Sequence, residues 1–132
     1  MDDGLVTLIS RRAVKDLADA LVEAVAKAGM TVFARVDYAA HAEAAGQSLR
    51  PTELVLFGNP ANGVVLLQDE QTVGVDLPMR ALAWEDENGE SWLTYPDLAW
   101  IARRHDLGVR SAEIMQKLET SFAGLARSVT GN

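Results

Sequence analysis

Cysteine is absent from the 132 residues, and that removes several chemistries at once. No disulfide frame, thiol nucleophile or thiolate-bound metal can be built from this chain. Histidine is nearly as scarce, with only His41 and His105. A zinc or iron site needs three or four ligands, so these two would have to recruit Glu43, Glu85 or Asp86, and no His-x-x-His or His-Glu-x-x-His pairing exists. Neither a metal nor a cofactor is expected. Basic charge is short as well: 12 Lys plus Arg face 19 Asp plus Glu, for a net charge of −7. A duplex binder gathers basic side chains on one face to neutralise phosphates. Here the basic clusters are Arg11-Arg12 and Arg103-Arg104, each near an expected helix end. Nucleic acid and an anionic membrane surface are not expected partners. No apolar run approaches the ~20 residues of a spanning helix. The start, Met1-Asp2-Asp3-Gly4, is acidic and lacks a basic region ahead of a long apolar stretch, so a cytoplasmic protein is expected. Gly-x-Ser-x-Gly and phosphate-loop glycine runs are also missing, which leaves nucleophilic catalysis without support.

What is present is an ordinary globular composition, 48% apolar, in a length that suits one domain over 1–132. Strands are expected near 5–9, 30–36, 52–57, 80–86 and 91–95, with helices near 11–28 and 111–128. Ser10 is placed to cap the first helix, whose Val14, Leu17, Ala18, Leu21 and Val25 recur at helical spacing, and Gly29 ends it. Met30 to Val36 alternates, with Met30, Val32, Ala34 and Val36 on one face. Asp37 can cap a short alanine-rich helix that stops at Gly46. Leu54 and Leu56 oppose Val55 and Phe57, so both faces of that strand are apolar, as in a central strand covered on both sides, one of them by another subunit. Asn59-Pro60 places a cap and a first-turn proline ahead of Val64, Leu66 and Leu67. Another helical turn follows and ends at Leu77-Pro78. Pro96-Asp97 opens a helix with Leu98 and Ile101, while Met115, Leu118, Phe122, Leu125 and Val129 stripe the last one.

Asn88-Gly89 is the commonest two-residue hairpin turn, because both residues tolerate positive φ. Counting outward from it pairs Glu85 with Trp92, Trp84 with Leu93 and Leu82 with Tyr95. That register puts Leu82, Trp84, Leu93 and Tyr95 on the core face and Glu85 with Trp92 on the other. A one-residue slip reverses the assignment.

Taken in order, Phe33 through Asp37, Leu49-Arg50-Pro51-Thr52-Glu53-Leu54, Phe57-Gly58-Asn59-Pro60, Asp76-Leu77-Pro78, Trp84-Glu85-Asp86, Gly89, Trp92, Tyr95 and Arg104-His105 resemble a bacterial and archaeal family known as domain of unknown function 302. The resemblance covers roughly Ala13 to Leu107. It implies an α+β fold, one sheet of about five mostly antiparallel strands with helices mainly on one face, and a homodimer. It implies no activity. Two positions depart from the family pattern: Tyr38 stands where a histidine is common, and Gly63-Val64 where a threonine often follows the glycine.

The residues themselves nominate few sites. Glu85 beside the Trp92 indole would be partly desolvated, which raises a carboxyl toward general-acid range. His105 closes a helix, where positive charge suits the dipole. Asn59 is a helix cap first, with free amides at the start of its helix that could hold an anion, though Gly58-Asn59-Pro60 lacks the glycine run of a phosphate loop. Glu53 is expected to pair with Arg35 or Arg50, His41 to be solvated, and Trp100, off its helix stripe, to be exposed as a contact or ligand wall. The sequence reading is a small non-enzymatic ligand-binding or interaction domain acting as a homodimer, with Glu85, Trp92, His105 and Asn59 as candidate contacts for a small molecule. The alternative is a small hydrolase or isomerase with a Glu85/His105 acid–base pair.

Overall fold

Short polar side chains set most of the helix starts, and apolar alternation sets the strands. The computed structural model describes residues 3–131, so Met1-Asp2 of the acidic start lie outside the described residues. In order, the elements are β1 (Leu5–Ser10), α1 (Val14–Lys27), β2 (Thr31–Asp37), α2 (Tyr38–Ala44), β3 (Thr52–Gly58) and α3 (Pro60–Asp69). A 3-10 segment (Gln71–Asp76), β4 (Met79–Glu85), β5 (Ser91–Pro96), α4 (Leu98–Arg104) and α5 (Val109–Thr130) complete the chain. Asp37, Asn59 and Asp97 each accept a backbone N–H from the first turn they precede, at 2.9, 3.0 and 3.0 Å. Ser10 does not cap α1. The helix begins at Val14 with Ala13 in the cap position, and the Ser10 hydroxyl closes instead on the backbone of Arg12.

The five strands form one antiparallel sheet in the order β1-β5-β4-β3-β2. Helices α1 and α5 lie across one face. Leu17, Leu21 and Val25 of α1 and Met115, Phe122 and Val129 of α5 are buried there against Val55, Phe57, Ala83, Leu93 and Tyr95. Phe122 is the keystone of this layer, its ring 5.0 Å from Phe57 and edge-on to Tyr95 at 4.7 Å. Asp69, at the end of α3, accepts from the Gly108 N–H at 2.9 Å and so satisfies the start of α5.

The hairpin register differs by one residue from the one counted out of Asn88-Gly89. Trp84 pairs with Trp92, Ala83 with Leu93, Leu82 with Thr94 and Glu85 with Ser91. The cause is Asp86. Its backbone N–H bonds the Glu90 carbonyl, and its side chain accepts from the N–H groups of Asn88 and Glu90. Its own carbonyl takes the Gly89 N–H, with Gly89 at φ +81°. That is a three-residue loop, a turn followed by a left-handed glycine, and not a two-residue turn. The odd residue moves Leu82 and Trp84 off the core face. Ala81, Ala83, Leu93 and Tyr95 fill the core instead.

A second slip occurs in β2. Val32 pairs with Phe57 but Ala34 pairs with Leu56, so Phe33 is an extra residue in a bulge. Val32 and Arg35 therefore face the helices, while Ala34 and Val36 face away.

Candidate functional site

Among the described residues no helix covers the second face of the sheet. Its central row, read across paired positions, is Thr7, Thr94, Leu82, Leu54 and Val36. The next row toward the hairpin is Ile9, Trp92, Trp84 and Thr52. The paired indoles stack with centroids 6.2 Å apart and planes 25° from parallel. Leu5 and Ile9 are 55% and 44% exposed, and the leucines and tryptophans are half-buried by one another without joining the core cluster. Polar atoms on this face already have partners. Trp84 Nε1 donates to Thr94 Oγ1 at 2.8 Å, Thr94 and Thr7 hydroxyls meet at 3.0 Å, and Trp92 Nε1 donates to Asp86 Oδ2 at 2.9 Å.

Glu85, Trp92 and His105 do not converge. Trp92 lies on the open face, while Glu85 points to the helix side and borders a broad groove of ≈ 700 Å³ with Lys15, Asp19, Arg35 and Glu53. The carboxylate that meets the Trp92 indole is Asp86. That hydrogen bond holds the Asp86 carboxyl below the usual carboxylate range, against an opposing desolvation. His105 caps the C-terminus of α4, where its Nε2 meets Asp76 Oδ2 at 2.6 Å and Thr72 Oγ1 lies 3.4 Å from its Nδ1. Arg104 shares the same Asp76 carboxylate at 3.1 Å. This set ties the 3-10 segment to α4 at the Met79 end of β4. Glu85 is at the other end, about 20 Å away at 3.3 Å of rise per residue. An acid–base pair of Glu85 and His105 acting on one ligand has no geometric basis.

Glu53 meets a partner expected of it. Glu53, buried beneath α1, pairs with Arg35 at 2.7 Å, and Arg35 also reaches Asp19 at 2.7 Å. Arg50 donates to the Glu85 carbonyl instead. His41 is exposed, and no group of three His, Asp or Glu side chains among the described residues could hold a metal ion. Trp100 is half-buried rather than open, its ring seated against Gly4 with the Arg104 guanidinium 5.6 Å above it.

Two features were not foreseen. Glu119 of α5 shares a hydrogen bond with Asp97 at the start of α4. Burial first, then that bond and the Asp97 charge, raise its pKa to about 7. The second is an apolar cleft of ≈ 290 Å³ where α3, the 3-10 segment and the end of β3 meet, with Asn59 at its rim. Asn59 thus serves as the cap and also stands beside a cavity.

A family model described as "Domain of unknown function DUF302" matches residues 6–125, and the chain belongs to that family. It is 46% identical over all 132 residues to "Fluoride-specific ion channel FluC 1" of Brucella suis biovar 1 and, equally, to "Fluoride-specific ion channel FluC 2" of Brucella melitensis biotype 1. The match covers 52% and 49% of those proteins, so the chain spans about half the length of the curated relatives it matches. The crystal structure of an uncharacterized conserved protein DUF302 from Bacillus stearothermophilus superposes with a TM-score of 0.83. That likeness covers 97% of this chain and 98% of the other at 16% identity, and it shows the fold.

Proposed function

We propose, with membership of that family as the premise, that the chain is a small non-enzymatic interaction domain that acts as a homodimer through the open face of its sheet. The observation that carries this is the face itself: leucines, valine and a stacked tryptophan pair, with Arg80 among them and the Asp86 carboxylate at the hairpin edge, on a chain of net charge −7. A two-fold interface has to be self-complementary, and a flat, mainly apolar face with few charges meets that condition. Both indole N–H groups are already bonded within the chain, so burial strands no donor. Five strands at ~4.8 Å spacing and ~3.3 Å rise present a face of about 24 by 20 Å. That footprint, about 480 Å² per partner, is smaller than the ~800 Å² of an ordinary interface and in the range of the weaker specific ones. A cytoplasmic location belongs to the same proposal and is read by cell fractionation.

Light scattering at micromolar concentration should give twice the monomer mass. Leu82→Glu, at the centre of the face and outside the core, should give the monomer with unchanged circular dichroism. A monomeric parent protein, or a dimer untouched by Leu82→Glu, would overturn the proposal.

The relatives' name supports a second, compatible reading, in which this domain works alongside a fluoride channel rather than as one. A channel through lipid needs spanning helices or a closed barrel. Among the described residues no helix is long and apolar enough to cross a membrane, and the sheet is open, ending at β1 and β2. Liposomes carrying this chain alone should release no fluoride above the protein-free rate, and release would sink this reading.

A further inference from the structure

We propose that the cleft between α3, the 3-10 segment and the bulge of β2 is a binding site for a small, neutral, mainly apolar molecule of one or two rings. This goes beyond the homodimer reading and is independent of it, because Leu82, the paired tryptophans and the other residues of the two rows described above do not line the cleft. Three observations carry it.

The first is size and chemistry together. The cleft holds ≈ 290 Å³, about twice the ~150 Å³ apolar cavity that suffices for benzene. Leu66, Leu67, Leu77 and Met79 form its walls, and no charged side chain is among the lining residues. A charge buried there would lose its hydration with no partner to replace it, so the site selects neutral molecules.

The second is Gly63. A glycine inside a helix lowers its stability relative to alanine, and a close neighbour is the usual structural reason to keep one. Here a Cβ would meet nothing within 4 Å. Gly63 lines the cleft, and the space that a side chain there would enter is open. Gly74 behaves differently: a Cβ there would stand 3.0 Å from Leu67 Cδ2, so its lack lets the 3-10 segment close the wall.

The third is the rim. The bulge turns Phe33 outward, half exposed, and it stands over the opening beside Gly58, where a Cβ would lie 3.7 Å from Phe33 Cε2. Across from it, Asn59 Oδ1 is committed to the Ala61 N–H, which leaves the amide NH₂ as a donor at the mouth, next to Asn62. An apolar body with one acceptor directed to the mouth satisfies every wall.

The probes are indole, benzyl alcohol and benzoate, titrated into ¹⁵N-labelled protein and followed by amide chemical shifts. Indole and benzyl alcohol should saturate, with the shifts concentrated at Gly58, Asn62, Gly63 and Gly74. Benzoate, of benzyl alcohol's size but charged, should bind about tenfold more weakly or worse, a difference of about 1.4 kcal/mol or more. Gly63→Leu, which fills the space, should weaken indole by a similar factor without lowering the melting temperature. The monomeric Leu82→Glu protein should bind indole as the parent does, which separates failure of this site from failure of the dimer. Non-saturating or scattered shifts with both neutral probes, equal affinity for benzoate, or unchanged indole binding in Gly63→Leu would each overturn the proposal.

Discussion

Replacing Glu119 by Gln should stabilise the fold at high pH and leave it unchanged at low pH. Glu119 sits where α5 meets the start of α4, facing Asp97, with Arg103 close enough to oppose the shift in part. Its carboxyl titrates at about 7 against an ordinary value of 4.5. A raised acid is held protonated by the folded state. Below the ordinary value both states are protonated and pH has no effect through this group. As pH rises toward the folded value, the unfolded chain gives up its proton while the folded one keeps it, and stability falls. Above the folded value the loss is complete. The unscreened ceiling is about 3 kcal/mol. Because the carboxyl is partly open to solvent, about 1 kcal/mol is the magnitude to expect. Gln keeps a donor for Asp97 and never ionises. Urea melts followed by circular dichroism, at fixed protein concentration, should therefore show the variant ahead of the parent by about 1 kcal/mol near pH 8 and level with it near pH 4. In thermal melts the same gap is about 4 °C. A difference that does not change with pH, or one that grows toward acid, would refute the reasoning.

Asn59→Ala should cost about 1 kcal/mol in urea melts through loss of its bond to Ala61, and an unchanged midpoint would deny the cap. Arg35→Met should destabilise by roughly 3 kcal/mol, because Glu53 stays buried without its cation, and the double variant with Glu53→Gln should recover part of it. Asp86 contributes through a depressed pKa, so its stabilisation is present above the ordinary carboxylate value and is lost as pH falls through the folded one. Trp92 fluorescence should report that loss on the acid side, and Asp86→Asn should abolish the titration.

The fold was legible because its signals are local. Alternation marked the strands, and Asp37, Asn59 and Asp97 announced helices through side chains that bond within their own first turn. Register was legible only in part, since Asn88-Gly89 advertises one turn while Asp86, two residues earlier, selects another by accepting two backbone N–H groups. The bulge at Phe33 left no mark in the alternation of β2, because Val32, Ala34 and Val36 are all apolar on either phase. The cleft could not be read at all. Phe33, Gly63, Gly74 and Leu118 are distant in the chain and meet only after the sheet and α5 have formed. The Asp97–Glu119 contact is hidden for the same reason, as a relation between two helices. Glu85 and Trp92 were paired only in a register that the hairpin does not adopt.

The bulge in β2 also bears on how copies of this chain can come together. β2 is an outer strand of the sheet, and a regular outer strand offers its unpaired N–H and C=O groups as a template for another strand. Phe33 breaks the spacing of that row partway along. A strand arriving in register with Val32 is out of register by Ala34, so growth sideways into an endless ribbon is checked at this rim. Association through the flat of the sheet, as proposed above, would consume the surface it uses and stop at two.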